Sequence, residues 1–218
     1  EGVQMLDVFA ETFYAGLNSF VLLSIPMFIL MGMAVANSPA GKDLYTGLDR
    51  WLWRVPGGLV VSNIGACSIF AALSGSSPAT CAAIGTMGIP EMRKRGYSDE
   101  IATGTIAAGG TLGVLIPPSI VLIVYGLATG TSIGRLFLSG IIPGFMLASL
   151  FALWALFHSY FIDKTSSKAL RNKKPPTLKQ KLEVLPRIFP FLAIIIGVLY
   201  VLYGGVATPS EASGVGAF

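Results

Sequence analysis

The stretch Leu73-Ser74-Gly75-Ser76-Ser77-Pro78-Ala79-Thr80 is a small polar knot inside an otherwise apolar run from Gly57 to Pro90. That run holds about 34 residues and no charge, so as one straight helix it would be about 51 Å long, far beyond a hydrocarbon core of about 30 Å. Two full crossings need about 40 residues and a turn, which the run lacks. Arg54 precedes it and Arg93, Lys94 and Arg95 follow it, and cytoplasmic loops carry the excess of Lys and Arg. Both ends are therefore expected on the cytoplasmic face. A re-entrant helical hairpin satisfies length and charge together: an arm of about 16 residues enters, the chain turns at Ser74 to Pro78, and an arm of about 12 returns. Its tip leaves backbone groups unpaired at membrane depth, which is tolerated only inside protein or beside a wet cavity. Transporters bind their cargo in such cavities.

Composition agrees with an all-α integral membrane protein. Apolar residues make up 53% and charged residues 12%, against about 25% charged in a soluble domain, and the mean hydropathy is +0.72. The chain starts at Glu1 without a methionine, shows no signal peptide, and stops at Phe218 within an apolar segment, so a piece of a longer chain is expected. Cys67 and Cys81 lie among apolar residues in the two arms and read as small core fillers, not as a disulfide or metal pair.

Residues 1–18 form an acidic, partly amphipathic stretch, and Phe20 to Ala36 a first membrane segment interrupted by Pro26. From Ala40 to Pro56, charges alternate with Leu44, Tyr45, Leu48, Trp51, Leu52 and Trp53, the pattern of a helix lying at the interface. It reads either as an arm bracing the hairpin or as a plain connector. Ser98, Asp99 and Glu100 make a good helix start. The apolar run Ile101 to Ala128 is then expected to unwind at Gly109-Gly110-Thr111-Leu112-Gly113 and again at Pro117-Pro118-Ser119, giving a broken transmembrane helix. Leu136 to Ile162 crosses back, Asp163 to Arg187 is a polar loop with eight basic residues, and Ile188 to Tyr203 crosses once more. Fourteen of the fifteen Lys and Arg residues fall at 42–54, 93–95 and 164–187, all on one side in this topology, and only Arg135 lies opposite. The basic loop reads as a topology determinant or an anionic-lipid contact; nucleic acid binding does not fit so short a juxtamembrane loop.

The two broken elements carry the chemistry. Hydroxyls of Ser74, Ser76, Ser77, Thr111 and Ser119, with carbonyls freed around Gly109 to Gly113, offer neutral oxygens suited to a hard monovalent cation. No Asp, Glu or His falls in residues 57–90 or 101–128, where a proton-coupled carrier would use one, so sodium is the expected coupling ion and no other cofactor is implied. Ser77-Pro78 and Pro117-Pro118 read as helix beginnings with proline at the first helical position, whose N–H groups would favour a carboxylate. Gly109 with Gly113 also matches small-xxx-small helix packing, and a Ser/Gly-rich break also reads as a kink.

The run from Ser74 through Ile89-Pro90-Glu91-Met92-Arg93-Lys94-Arg95-Gly96-Tyr97, followed by Ala107 to Ser119, resembles the large membrane subunit of TRAP transporters, the tripartite ATP-independent periplasmic carriers. Residues 131–144 and 205–212 also resemble that family, so the similarity covers nearly the whole chain but about half the family's length. The resemblance implies an elevator-type secondary transporter of the bacterial inner membrane, with this chain as the first half lacking its leading helix. Residues 1–56 would then be scaffold and arm helix, 57–128 part of a mobile transport domain, 129–206 scaffold-type helices, and 207–218 the start of an inverted second half. A small four-helix membrane subunit and a periplasmic substrate-binding protein delivering an organic acid are the implied partners. The implied sodium site comprises Ser74, Gly75, Ser76, Gly110, Thr111 and Gly113. Ser77, Thr80, Pro118 and Ser119 are nominated to line the substrate cavity.

Two other classes remain at this point. An intramembrane serine hydrolase would use Ser76 or Ser77 with a base within hydrogen-bond reach, and the one histidine, His158, lies on another helix. A membrane scaffold without transport would show no sodium-dependent stabilisation.

Overall fold

The computed structural model describes residues 2–55, 57–161 and 176–217. Eleven α-helices follow one another among them: α1 (Gly2–Leu17), α2 (Ser24–Ala36), α3 (Ala40–Trp51), α4 (Gly58–Ser74), α5 (Ser77–Lys94), α6 (Asp99–Leu115), α7 (Ile120–Thr129), α8 (Ile133–Phe161), α9 (Leu178–Leu182), α10 (Leu185–Tyr203) and α11 (Pro209–Ala217). A 3-10 turn, Phe20–Leu23, leads into α2. No strand occurs among the described residues.

Among the described residues, three segments are long and apolar enough to cross a membrane: Asp99–Thr129, Ile133–Phe161 and Leu178–Tyr203. The pair Met5–Leu17 and Phe20–Ala36, bent by 51°, is a fourth if it forms one span. Gly58–Ser74 is apolar but shorter, and its 17 residues reach about 25 Å. Pro26 does not interrupt the first segment as expected. It is the third residue of α2, where an N–H has no intrahelical partner to lose, and the bend falls earlier, at Asn18–Ser19.

The polar knot folds as a helical hairpin of α4 and α5. The arms are antiparallel: Asn63 Nδ2 donates to Met92 Sδ at 2.8 Å near the base, and Ser74 and Thr80 hydroxyls meet at 3.0 Å near the tip. The return arm is longer than its sequence indicated, running through Pro90 to Lys94. Proline removes one rung of the ladder, while fully buried Met92 holds the last turn in the core. The chain stops instead at Gly96, φ +82°, where the Tyr97 N–H reaches back to Met92 O at 3.1 Å.

One core collects Leu59, Ile64, Phe70, Leu73, Ile84, Met92, Ile106 and Leu112 from α4, α5 and α6, with Tyr45 from α3. A second gathers Phe28 and Met31 of α2, Ile123 of α7, Phe137 of α8, Val198 and Leu202 of α10, and Ala212 of α11. Glycines set the distance between α6 and the hairpin. A Cβ on Gly109 would sit 2.8 Å from Cys67 Cβ, and one on Gly110 would strike Cys81 Sγ. The two cysteines are free thiols that fill this seam.

The segment expected to lie at the interface is α3, and it is tied to the base of the hairpin. Arg95 donates to both carboxylate oxygens of Asp49, at 2.9 and 3.0 Å, and to Glu91 at 2.6 Å. Burial alone would lower the Arg95 pKa, but the hydrogen bonds and charge of Asp49, then of Glu91, outweigh it and raise it, so the guanidinium stays charged. Tyr45 beside it is pushed above its ordinary value, first by burial and then by the Asp49 charge. Outward faces of α8 and α10 are lined with exposed Ile142, Phe145, Leu153, Trp154, Phe189, Ile196 and Tyr200, as expected of surfaces that do not meet water.

Candidate functional site: the hairpin tip and the helix break

The tip is tighter than the sequence indicated. Only Gly75 and Ser76 are non-helical between the arms. Gly75 adopts φ +60° and its N–H closes on Ala71 O at 2.8 Å, a left-handed cap that glycine takes without steric cost. Ser76 is extended and caps α5, its Oγ accepting from Ala79 N at 3.5 Å, with Pro78 in the first turn.

The break in the next span corrects the expected one. Gly109 to Gly113 is continuous α-helix, and unwinding is confined to Ile116–Ser119. The helical packing alternative accounts for the glycines, because each admits a neighbour a Cβ would exclude. Nor do Pro117 and Pro118 occupy the first helical position. They precede Ser119, the N-cap of α7, and the peptide between them is cis. Their effect falls on the end of α6: Pro117 has no N–H for Gly113 O and Pro118 none for Val114 O. Ser119, fully buried, takes up Val114 O at 2.7 Å.

Tip and break meet. The Ile120 N–H, first of α7, donates to Gly75 O at 3.2 Å. A Cβ on Gly75 would come within 2.7 Å of Pro118 O, one on Gly113 within 2.8 Å of both Ser76 C and Ser77 N, and one on Gly32 of α2 within 2.8 Å of Ser74 Cα. The tip is thus wedged between α2, the end of α6 and the start of α7. Ser74, Gly75, Ser76, Gly110 and Gly113 come together at this seam. Thr111 does not join them; it is exposed, and its hydroxyl turns back to Ala108 O at 2.6 Å.

Of the nominated cavity residues, Thr80 is fully buried and donates to Ser76 O at 2.9 Å. Pro118 and Ser119 are buried at the break. Ser77 Oγ is buried without a hydrogen-bond partner, the one hydroxyl at the tip left unsatisfied. The Ile120–Gly75 bond and the Gly32–Ser74 contact were missed from sequence. Gly32, a lone glycine in an apolar helix, was the available sign of a close approach.

His158 lies elsewhere. It lines a cavity of about 500 Å³ with Glu100, Trp154 and Ser159, at the end of α6 opposite Gly113, a helix length of about 20 Å away. No base at hydrogen-bond reach of Ser76 or Ser77 therefore comes from it, which removes the support for a serine hydrolase.

Several helices long and apolar enough to cross a membrane, with a hairpin tip seated in a broken span, make this an all-helical membrane protein of the multi-pass class. The chain belongs to the DctM component family of tripartite ATP-independent periplasmic transporters, whose family model matches residues 1–218. It is 40% identical over 213 residues to the C4-dicarboxylate TRAP transporter large permease protein DctM of Vibrio cholerae, covering 98% of this chain and 46% of that protein. It is 37% identical to the isethionate TRAP transporter permease protein DctMQ of Oleidesulfovibrio alaskensis, over 98% of this chain and 33% of the relative. For the ectoine TRAP transporter large permease protein TeaC of Halomonas elongata the identity is 34%, over 97% and 48%. The chain thus spans a third to a half of the length of these relatives.

Proposed function

We propose that this chain forms one half of the permease of a sodium-coupled, elevator-type importer in the bacterial inner membrane. Its cargo is an organic acid, a C4-dicarboxylate, sialic acid or similar carboxylate, handed over by a periplasmic binding protein. A small four-helix membrane subunit completes the scaffold. The observation that carries this reading is the contact of Gly75 O with the Ile120 N–H, which fastens the re-entrant tip to the broken span.

Sodium is the better ion for such a seam because its oxygens are neutral. Ser77 Oγ lacks a partner, the position that would donate to Gly113 O along the helix is Pro117, which has no N–H, and no Asp, Glu or His lies in residues 57–90 or 101–128. The α5 and α7 N-termini converge there and favour a carboxylate beside the cation. Helices α4 to α7 would move as the transport unit, while α8 and α10 stay in the scaffold.

The test is uptake of labelled C4-dicarboxylate or sialic acid into proteoliposomes holding the full-length permease, its small partner and its binding protein. Uptake needing both an inward sodium gradient and the binding protein is expected. Uptake driven by a proton gradient without sodium would refute the coupling, and uptake indifferent to the binding protein would refute the delivery route.

A further inference from the structure

An apolar groove of about 600 Å³ opens between α3, α4 and the α9–α10 segment, lined by Leu44, Leu48, Ile69, Leu182, Phe189 and Leu192 among others. Its volume falls in the range of ~300–1,000 Å³ common to ligand pockets. Leu182 and Phe189 are 59% and 70% exposed, so the groove is open on its outer side, where a multi-pass membrane protein meets acyl chains. The helices around it carry a different chemistry. Lys42 and Arg50 on α3, Lys179 and Lys181 on α9, and Arg187 on α10 supply five cations, against the carboxylates of Asp43, Asp49 and Glu183, of which Asp49 is held by Arg95.

Arg50, Lys181 and Arg187 are held by contacts between these helices. Arg50 Nη1 donates to Gln180 O at 2.7 Å, which ties α3 to α9. Lys181 Nζ stands 5.7 Å from the centre of the Trp51 ring, and Trp51 is half exposed, as at a headgroup layer. Arg187 reaches Asp43 at 3.7 Å, a contact too exposed on the arginine side, at 68%, to neutralise it for a ligand. Lys179 and Lys42 are exposed.

We propose that this groove is a binding site for one anionic phospholipid, its acyl chain along Leu48, Ile69 and Leu192 and its phosphate between Lys179, Lys181 and Trp51. The net positive charge beside the groove selects an anionic over a zwitterionic headgroup, and the apolar lining selects a lipid over a soluble phosphate. The bound lipid joins the interfacial helix to the following span, the same helix that Arg95 locks to the hairpin base. The site rests on the membrane location of the chain and is independent of the transported solute.

The test measures lipid retained by the purified full-length protein, by native mass spectrometry and thermal unfolding, with phosphatidylglycerol, phosphatidylcholine or inorganic phosphate added. Expected is one retained phosphatidylglycerol, higher thermal stability with it than with phosphatidylcholine, and no effect of phosphate. Lys179→Gln and Lys181→Gln should each weaken retention roughly fivefold, whereas Arg135→Gln, exposed at the start of α8 and placed on the opposite membrane face, should not. Leu192→Trp, which fills the groove, should abolish retention in protein that otherwise unfolds at the unliganded temperature. Equal retention of both lipids, retention unaffected by the lysine variants, or stabilisation by phosphate alone would overturn the proposal. So would loss of the lipid when the small membrane subunit is bound, since the groove would then belong to that protein.

Discussion

Replacing Gly113 by alanine tests the seam where the hairpin meets the broken span. A Cβ there would lie 2.8 Å from Ser76 C and Ser77 N and 3.1 Å from Ser76 O, all backbone atoms with no rotamer to yield. Carbon contacts relax to about 3.5 Å, so α6 and the tip must separate by about 0.7 Å. Such overpacking costs about 1–3 kcal/mol, and the better helix propensity of alanine returns about 1 kcal/mol of that. Net destabilisation is therefore small, at most about 2 kcal/mol. The functional effect is larger, because an ångström of misplacement in a site costs up to ~100-fold. Gly104→Ala is the matched control on the same helix: it is exposed, and a Cβ there meets nothing within 4 Å. Both variants gain helix propensity, and only one presses on the tip. In sodium titrations of uptake, the sodium concentration for half-maximal rate should rise about tenfold or more in Gly113→Ala and stay unchanged in Gly104→Ala, with both proteins folded by thermal unfolding. Identical sodium curves for the two variants would refute the placement of a cation at this seam.

Other substitutions probe the supports. Arg95→Gln leaves Asp49, whose side chain is only 13% exposed, without its guanidinium and should cost about 1–3 kcal/mol, read as a lower unfolding temperature. Arg93→Gln breaks a pair exposed at 56% and 67% and should cost less than ~1 kcal/mol; equal losses would contradict the clamp. Gly75→Ala forces a left-handed backbone on a residue with a Cβ and drives it toward Pro118 O, so it should destabilise by about 1–2 kcal/mol or more; a neutral result would deny the docked tip. A cysteine at Lys94 should react with an impermeant maleimide from the cytoplasmic side alone, and labelling from the periplasm would exclude a re-entrant hairpin.

The helical hairpin was legible because an uncharged run of the wrong length for one or two spans is interrupted at its centre by the polar residues where the chain turns. The helix start at Ser98 was equally plain, and its Oγ accepts from Ile101 N at 3.4 Å. The break was located too early because glycine signals two things that sequence alone does not separate, a weak helix and a close neighbour. Gly109, Gly110 and Gly113 serve the second, and only the prolines end the helix. The extent of α5 was hidden because the core contact of Met92 and the turn at Gly96 outweigh one missing donor at Pro90. The clamp of Arg95 on Asp49 joins residues 46 positions apart, a pairing that local patterns do not encode. Thr111 faces away from the tip because α6 stays wound there and a wound helix fixes the direction of its side chain.

Equilibrium binding of radioactive sodium to the purified full-length permease, wild type against Ser76→Ala, addresses the central claim without requiring substrate, binding protein or a gradient. Saturable binding to the wild type that loses affinity or stoichiometry in Ser76→Ala, with the variant still folded, is the predicted result. Saturable binding that is the same in both proteins would contradict a coupling-ion site at the hairpin tip.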